Sequence, residues 1–442
     1  MFTRKQLYKL IMPLVVEQVL AVTVGMADMV MVASAGEAAV SGVSLVDTLN
    51  ILLISLFAAL ATGGAVVSAQ YLGHKEPGLA CKSADQLLLS SSVISVSIMV
   101  ISLIGNNWIL TLIYGHVDPV VFVNSQKYFY ITALSFPFLS IYNSCAALFR
   151  AMGNSRISMK VSVLMNIINV AGNAILVFGF HLGVVGVAIP TLVSRMVAAV
   201  IMMNLICNKE HPVHVDNILH LGFDWAMIKR ILGIGIPNGL ENSLFQIGKV
   251  LVQGLIASFG TAAITANAVA GAIASFENIP GSAIGLAMIT IVGQCVGAND
   301  HDQAKKYTIK LMKLTHLTVF AIALIIVLFR YPITALYRIS PGTTDMAIQL
   351  IVYHSICAVI IWPPSFALPN ALRAANDVKF TMIVAAISMW LCRIALSYVL
   401  GRTFGLGVFG VWIAMTADWL LRAICFLTRF ISGKWKLNSY VG

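Results

Sequence analysis

Apolar residues run along this chain in twelve long blocks separated by short polar breaks, near residues 9–33, 43–72, 83–105, 127–149, 158–178, 184–207, 226–258, 262–296, 307–329, 346–371, 380–400 and 407–428. Each block supplies the roughly 20 mostly apolar residues that a helix needs to cross the hydrocarbon core of a bilayer. The pattern also repeats. Residues 13–73 lie without a gap on residues 237–297, and eleven of the 61 positions are identical, among them Pro13/Pro237, Glu17/Glu241, Gly36/Gly260, Gln70/Gln294 and Gly73/Gly297. Further on, Leu148-Phe-Arg150-Ala-Met-Gly-Asn154 parallels Leu372-Arg373-Ala-Ala-Asn376, and Gly183-Val-Val-Gly186-Val parallels Gly407-Val-Phe-Gly410-Val. The chain is a duplication with a shift of 224 residues. Six helices per half return the chain to the side it started from, so the second half repeats the first without inversion and the pseudo-twofold axis runs along the membrane normal. The expected fold is an all-α polytopic membrane protein of twelve transmembrane helices, with a six-helix lobe over 1–207, a cytoplasmic linker over 208–225 and a second six-helix lobe over 226–442.

Composition agrees with this pattern. Only 10% of residues are charged and the mean hydropathy is +0.91, whereas a water-soluble domain carries about 25% charged residues. The first block is too long for the h-region of a signal peptide and lacks a cleavage site followed by a polar mature domain, so it is expected to remain as the first helix. Of 28 Lys and Arg, twenty fall at the termini or on the even-numbered connections, from Arg4 and Lys5 to Lys434 and Lys436, while Lys127, Arg330, Arg338 and Arg402 fall on the other side. The positive-inside rule then places both termini in the cytoplasm, and the expected location is the plasma (inner) membrane. The net charge of +11 reads as loops facing anionic lipid, not as a nucleic-acid surface. The seven cysteines are scattered, without a CxxC or a Cys/His cluster at metal spacing, and read as unpaired packing residues. His211, His214 and His220, with Asp216 and Asp224, crowd the 208–225 connector, where a solvated linker is a better reading than a metal site.

An ionisable side chain at the bilayer centre costs about 2.5–3.5 kcal/mol on insertion scales, so each one is a functional hypothesis by default. The candidates are Glu17, Asp28, Asp47, Arg195, Glu241, Lys249, Glu277, Arg393, Asp418 and Arg422. Asp418 and Arg422 stand four apart on one helix face and can neutralise each other. Lys249 and Glu277 are expected to pair inside the C-terminal lobe. Arg195 and Arg393 have no evident partners. Asp28 sits among Met26, Ala27, Met29, Val30 and Met31 with no basic residue within a turn. A carboxylate in such surroundings prefers its neutral form, which suits a group that takes up and releases a proton. In the fifth block Asn166, Asn169 and Asn173 share one helix face. Glu17 lies three turns before Asp28, roughly 16 Å along the axis, and its repeat mate Glu241 follows Pro237 at the same spacing. These two acids, with Gln18, Asn238, Asn242, Gln246 and Trp362, are the expected lining of a substrate cleft. Pro363 and Pro364 remove backbone hydrogen bonds from the tenth block and predict a bend there.

The chain resembles the multidrug and toxic compound extrusion (MATE) family over its whole length. The resemblance rests on Pro13, Ala27-Asp28 and Gly36, on Gln70-Tyr-Leu-Gly73 and Gln294-Cys-Val-Gly297, on the run at 148–154, and on Asn166, Asn169 and Ile175-Leu-Val-Phe-Gly179. It implies export of amphipathic, cationic compounds against a returning flow of protons or sodium ions. It also implies that Asp28 couples the ion, with Asn169, Asn173, Thr191 and Asn166 around it. In the DinF-type branch an Asp follows the fifth-helix Asn by four residues; here Asn169 and Thr191 match, but Asn173 stands at the acid's position. A site with one carboxylate therefore favours protons, although the oxygens of Asp28, Asn169, Asn173 and Thr191 are also ligands for a weakly held Na⁺. The NorM-type acid of the seventh helix falls at Phe245, one turn from Glu241, and the acid of the tenth is absent from Trp362-Pro363-Pro364.

No cofactor is expected beyond the ion gradient, since there is no GxxxxGK[ST] phosphate loop. The expected partners are small amphipathic molecules and the lipid bilayer, with no nucleic acid and a monomeric chain. A flippase for a lipid-linked precursor is the alternative within transport; such proteins often have fourteen helices and an Arg-rich cleft. A membrane enzyme is disfavoured, because neither HExxH nor DxxD occurs.

Overall fold

The computed structural model describes residues 2–34, 36–115, 118–215 and 222–438. The described residues are helical throughout, with no strand. In chain order the helices are α1 (Arg4–Ala33), α2 (Glu37–Gly73), α3 (Pro77–Ile104), α4 (Asn106–Tyr114), α5 (Pro119–Leu134), α6 (Phe136–Ala151), α7 (Ser155–Ala174), α8 (Val185–Ile206), α9 (Trp225–Ala257), α10 (Thr261–Glu277), α11 (Ile279–Gly297), α12 (His301–Leu328), α13 (Arg330–Ala335), α14 (Pro341–Trp362), α15 (Leu368–Ala374), α16 (Val378–Ser388), α17 (Leu396–Tyr398) and α18 (Gly407–Ile431). Among the described residues, ten helical rods are long and apolar enough to span a bilayer. An eleventh span forms if α5 and α6, bent by 46° at Ser135, count as one. The 262–296 block, expected as one helix, is two. Asn278 separates α10 from α11, and Pro280 in the first turn of α11 has no N–H to continue the ladder of α10.

The chain forms two compact units, Thr3–Gly239 and Leu240–Gly442 with Met1–Phe2. The division falls inside α9, beyond the 208–225 connector. In the first unit α2 packs on α3, α5 and α6, while α1 packs on α7 and α7 on α8. In the second, α10 and α11 pack on α14, α15 and α12, and α18 packs on the wider turns at 389–395. Pro363–Ala367 is a wide-turn segment joining α14 to α15, where the two prolines supply no N–H to the helical ladder. The duplication extends to backbone conformation. Gly36 and Gly260 precede α2 and α10 with φ of +101° and +96°, a region that a Cβ disfavours.

Pro13 lies inside α1 and cannot donate to the carbonyl of Lys9. The hydroxyl of Ser155 covers that turn instead, donating to Leu10 O at 2.6 Å and Lys9 O at 3.4 Å. The connector residues pack within the first unit. His214 Nδ1 lies 3.0 Å from His211 O, His211 stacks edge-on against Phe149, and Asp224 pairs with Lys82 at 2.5 Å. The Lys82 ammonium and the Met227 N–H hold the Asp224 carboxyl below its ordinary range. Asp216 and His220 lie outside the described residues. None of the seven cysteines forms a disulfide.

Candidate functional site

The small residues of α7 let it approach α8 closely. A Cβ on Gly172 would stand 2.7 Å from Pro190 Cβ, and that approach brings the polar face of α7 against the residue after the proline. Asn169 Nδ2 donates to Thr191 Oγ1 at 3.1 Å. Asn173 Nδ2 donates to Asn169 Oδ1 at 3.3 Å and to Asp28 Oδ1 at 2.8 Å. The structure thus joins Asp28, Asn173, Asn169 and Thr191 in one chain of hydrogen bonds across α1, α7 and α8, with Asn173 fully buried. Both amide hydrogens of Asn173 are committed, while its Oδ1 is buried without a partner. Gly172→Val is expected to wedge α7 from α8, lowering stability by about 1–3 kcal/mol. Thermal unfolding of the purified protein measures this; a midpoint unchanged from the parent protein refutes it.

Asp28, Asn166, Asn169 and Thr191 line a cavity of about 230 Å³ within the first unit. Two further charged groups line the same cavity, Asp47 of α2 and Arg195 of α8. Asp47 accepts from Tyr128 Oη at 3.1 Å and from Asn50 Nδ2 at 3.4 Å. Arg195 donates to Ser135 Oγ at 2.7 Å. The expectation of a single carboxylate is therefore corrected: the cavity holds two acids and one guanidinium. Asp47 was visible as an intramembrane acid, but nothing in the order of residues showed that α2 and α5 turn Asp47 and Tyr128 toward Asp28.

Each of the mirrored glutamates meets an arginine. Glu17 accepts from Ser158 Oγ at 3.1 Å and lies 3.6 Å from Arg150 Nη1. Glu241 lies 2.7 Å from Arg373 Nη2, and Arg373 also donates to Asn370 Oδ1 at 2.8 Å. The two glutamates are repeat mates, whereas the mate of Arg150 is Ala374 and Arg373 stands one residue before it. Arg373, expected on a loop, is 9% exposed in α15. Glu17, Gln18, Asn238, Glu241, Asn242 and Gln246 do not line the cavity in the first unit or the one in the second; of the expected cleft residues only Trp362 lines either.

That second cavity, of about 440 Å³, is lined by Phe245, Lys249, Trp362, Phe366, Arg393 and Trp419, with Asn267, His354 and Trp412 among others. The expected Lys249–Glu277 pair does not form. Glu277 is fully buried and accepts from Ser355 Oγ at 3.0 Å, with His354 Nδ1 at 3.1 Å. Both partners come from α14, which packs on α10 and outcompetes α9 for the carboxylate. Asp418 meets Arg422 Nε at 2.9 Å, as the four-residue spacing requires, and its other oxygen lies 3.5 Å from Arg393 Nη1. Arg393 thereby gains the partner that its position in the sequence did not show.

Comparison with known proteins adds the deciding observation. The family model MatE matches this chain twice, over residues 13–175 and 237–399, which is again an offset of 224. The chain belongs to the MatE family. MatE proteins are transporters and not enzymes. An uncharacterised transporter of Bacillus subtilis, YisQ, is 27% identical over 440 residues, covering 97% of this chain and 94% of the relative. The probable multidrug resistance protein NorM of Thermotoga maritima is 26% identical, covering 99% and 94%. Among solved structures, a MATE protein in a bent conformation superposes with a TM-score of 0.89 over 99% of this chain and 97% of its own, at 18% identity. An outward-facing multidrug resistance MATE family transporter gives 0.89 over 97% and 96%, also at 18%; these likenesses speak for the fold. In this MatE chain Asn173 stands at the position where the resemblance implied an acid, and a second carboxylate reaches the cavity from α2 as Asp47.

Proposed function

We propose that this MatE transporter is a secondary antiporter that exports amphipathic, cationic compounds in exchange for protons, by alternating access. The supporting observation is the setting of Asp28. One carboxylate oxygen is held by Asn173, and the other has no hydrogen-bond partner among the described residues while the side chain lines a cavity. A proton entering that cavity lands on the unheld oxygen. Asn173 then keeps the neutral carboxyl in place, and the cavity loses one negative charge. Asp47 remains as a second acid able to attract a cation, with Arg195 limiting the total charge. The same oxygens, with the unpartnered Asn173 Oδ1, can hold Na⁺, so the driving ion is decided by experiment. In this reading both termini lie in the cytoplasm, the chain sits in the inner membrane, and one chain works alone without a cofactor.

Purified protein in liposomes, given either a pH gradient or a sodium gradient alone, is expected to move an amphipathic dye cation with the pH gradient. Movement under the sodium gradient only reassigns the ion. Equal movement with neither gradient ends the antiport reading.

A further inference from the structure

The two cavities described above are copies of one another with opposite charge. Adding 224 to the residues lining the first cavity converts ten of them into residues lining the second. Within this shared frame the charged positions do not coincide. Asp28 becomes Val252 and Asp47 becomes Gly271, so both acids are lost. Gly25 becomes Lys249 and Asn169 becomes Arg393, so two cations appear where the first cavity is neutral. Arg195 becomes Trp419. Among the described residues no acid lines the second cavity.

We infer that the cavity of the C-terminal lobe is a binding site for planar aromatic carboxylates. Lys249 has no carboxylate within ion-pairing distance among the described residues, and its ammonium lies 5.8 Å from the centre of the Phe245 ring. Arg393 is 8% exposed; Asp418 meets it at one end only, and its Nε has no hydrogen-bond acceptor. Trp419 is 4% exposed, and its indole N–H likewise has no acceptor. An ammonium and a guanidinium are cationic donors without acceptor capacity, so Lys249 and Arg393, which both line this cavity, select an anion. The remaining wall is aromatic. Trp362 stacks on Phe366 at 5.4 Å between centroids, and Phe366 meets Trp419 edge-on at 5.7 Å. Flat rings of this kind accept a planar aromatic body. A volume of about 440 Å³ lies within the usual range of small-molecule sites. Among the neighbours, Glu277 is occupied by His354 and Ser355, while Asp418 is shared between Arg422 and Arg393, so one guanidinium charge and the charge of Lys249 are left uncompensated. The site does not depend on which ion drives transport.

The test is quenching of tryptophan fluorescence in the purified protein, held in phosphatidylcholine nanodiscs with no gradient, by 4-nitrobenzoate, 4-nitrobenzamide and 4-nitrobenzylammonium. These share one ring and differ in charge. The anion is expected to bind at least about tenfold tighter than the amide, and the cation weakest. Lys249→Met should bring the anion-to-amide ratio near one while leaving amide binding in place, and Lys249→Arg should keep the preference. If Lys249→Met fails to fold, Lys249→Gln carries the same prediction. A ratio near one in the parent protein, or a ratio unchanged in the variant, overturns the inference. Because no gradient is imposed, that result would leave proton-driven export standing, and loss of antiport would leave this site standing.

Discussion

Asp28→Asn is expected to reduce gradient-driven export by about 10²-fold or more, the scale on which losing a positioned proton-transfer group acts, without lowering expression. The substitution is nearly isosteric. Its carbonyl oxygen can still accept from Asn173 Nδ2, now 2.8 Å from the native carboxylate, so the hydrogen-bond chain through Asn169 to Thr191 should survive. What disappears is the ability to gain and lose a charge, on which any coupling at this position depends. An antiporter needs its two states to differ in affinity for the driving ion, and a permanently neutral amide removes that difference. The measurement is dye-cation transport in liposomes under a pH gradient, with the thermal midpoint of the variant as the control for folding. Parental transport by a folded Asp28→Asn protein would remove Asp28 from the mechanism. Attention would then move to Asp47, the other acid on the same cavity.

The largest stability effect is expected at Asp418. Its carboxylate is fully buried between Arg422, 3% exposed, and Arg393, 8% exposed. Arg422 also donates to Ser388 Oγ at 2.9 Å and lies over the faces of Phe245 and Phe366. Removing the one anion leaves two buried guanidinium groups with hydrogen-bond and π partners but no counter-charge. Breaking a buried pair in this way costs about 3–5 kcal/mol. Asp418→Asn should therefore lower the unfolding midpoint by roughly 3–5 °C. Combining it with Arg422→Met should recover part of the loss, because the two changes share one interaction and cannot be additive. A single variant that melts with the parent would show that Asp418 is not the counter-ion of this cluster.

The physics of the bilayer made much of this protein legible from residue order. A chain with so few charges must hide its backbone polar groups in helices, so the apolar blocks located most of the rods, though not the breaks at Ser135 and Asn278, and the shift of 224 located the repeat. Asp28 and the Asn face of α7 were legible for a related reason, since a polar residue in hydrocarbon needs a partner or a use. Where the reading fell short, the missing information was which distant helices touch. Glu17 meets Arg150, Glu241 meets Arg373 and Glu277 meets His354, each across 77 or more residues of chain. Spacing along one helix predicts a pair such as Asp418–Arg422, because the helical turn sets that distance. It says nothing of a partner delivered by another helix, so Lys249 seemed a suitable mate for Glu277 until α14 supplied His354.

The same division separates the two cavities. Residue order alone determined that Gly25 stands opposite Lys249, Asp28 opposite Val252 and Asn169 opposite Arg393, since these follow from one constant shift. Only the packed lobes decided that these positions line cavities, which requires α1 and α7 in one lobe, and α9 and the 389–395 turns in the other, to turn those faces inward. Duplication copies backbone geometry because the backbone must satisfy the same bilayer twice. Side-chain charge at the matching depth is free to diverge, and in this chain it has changed sign.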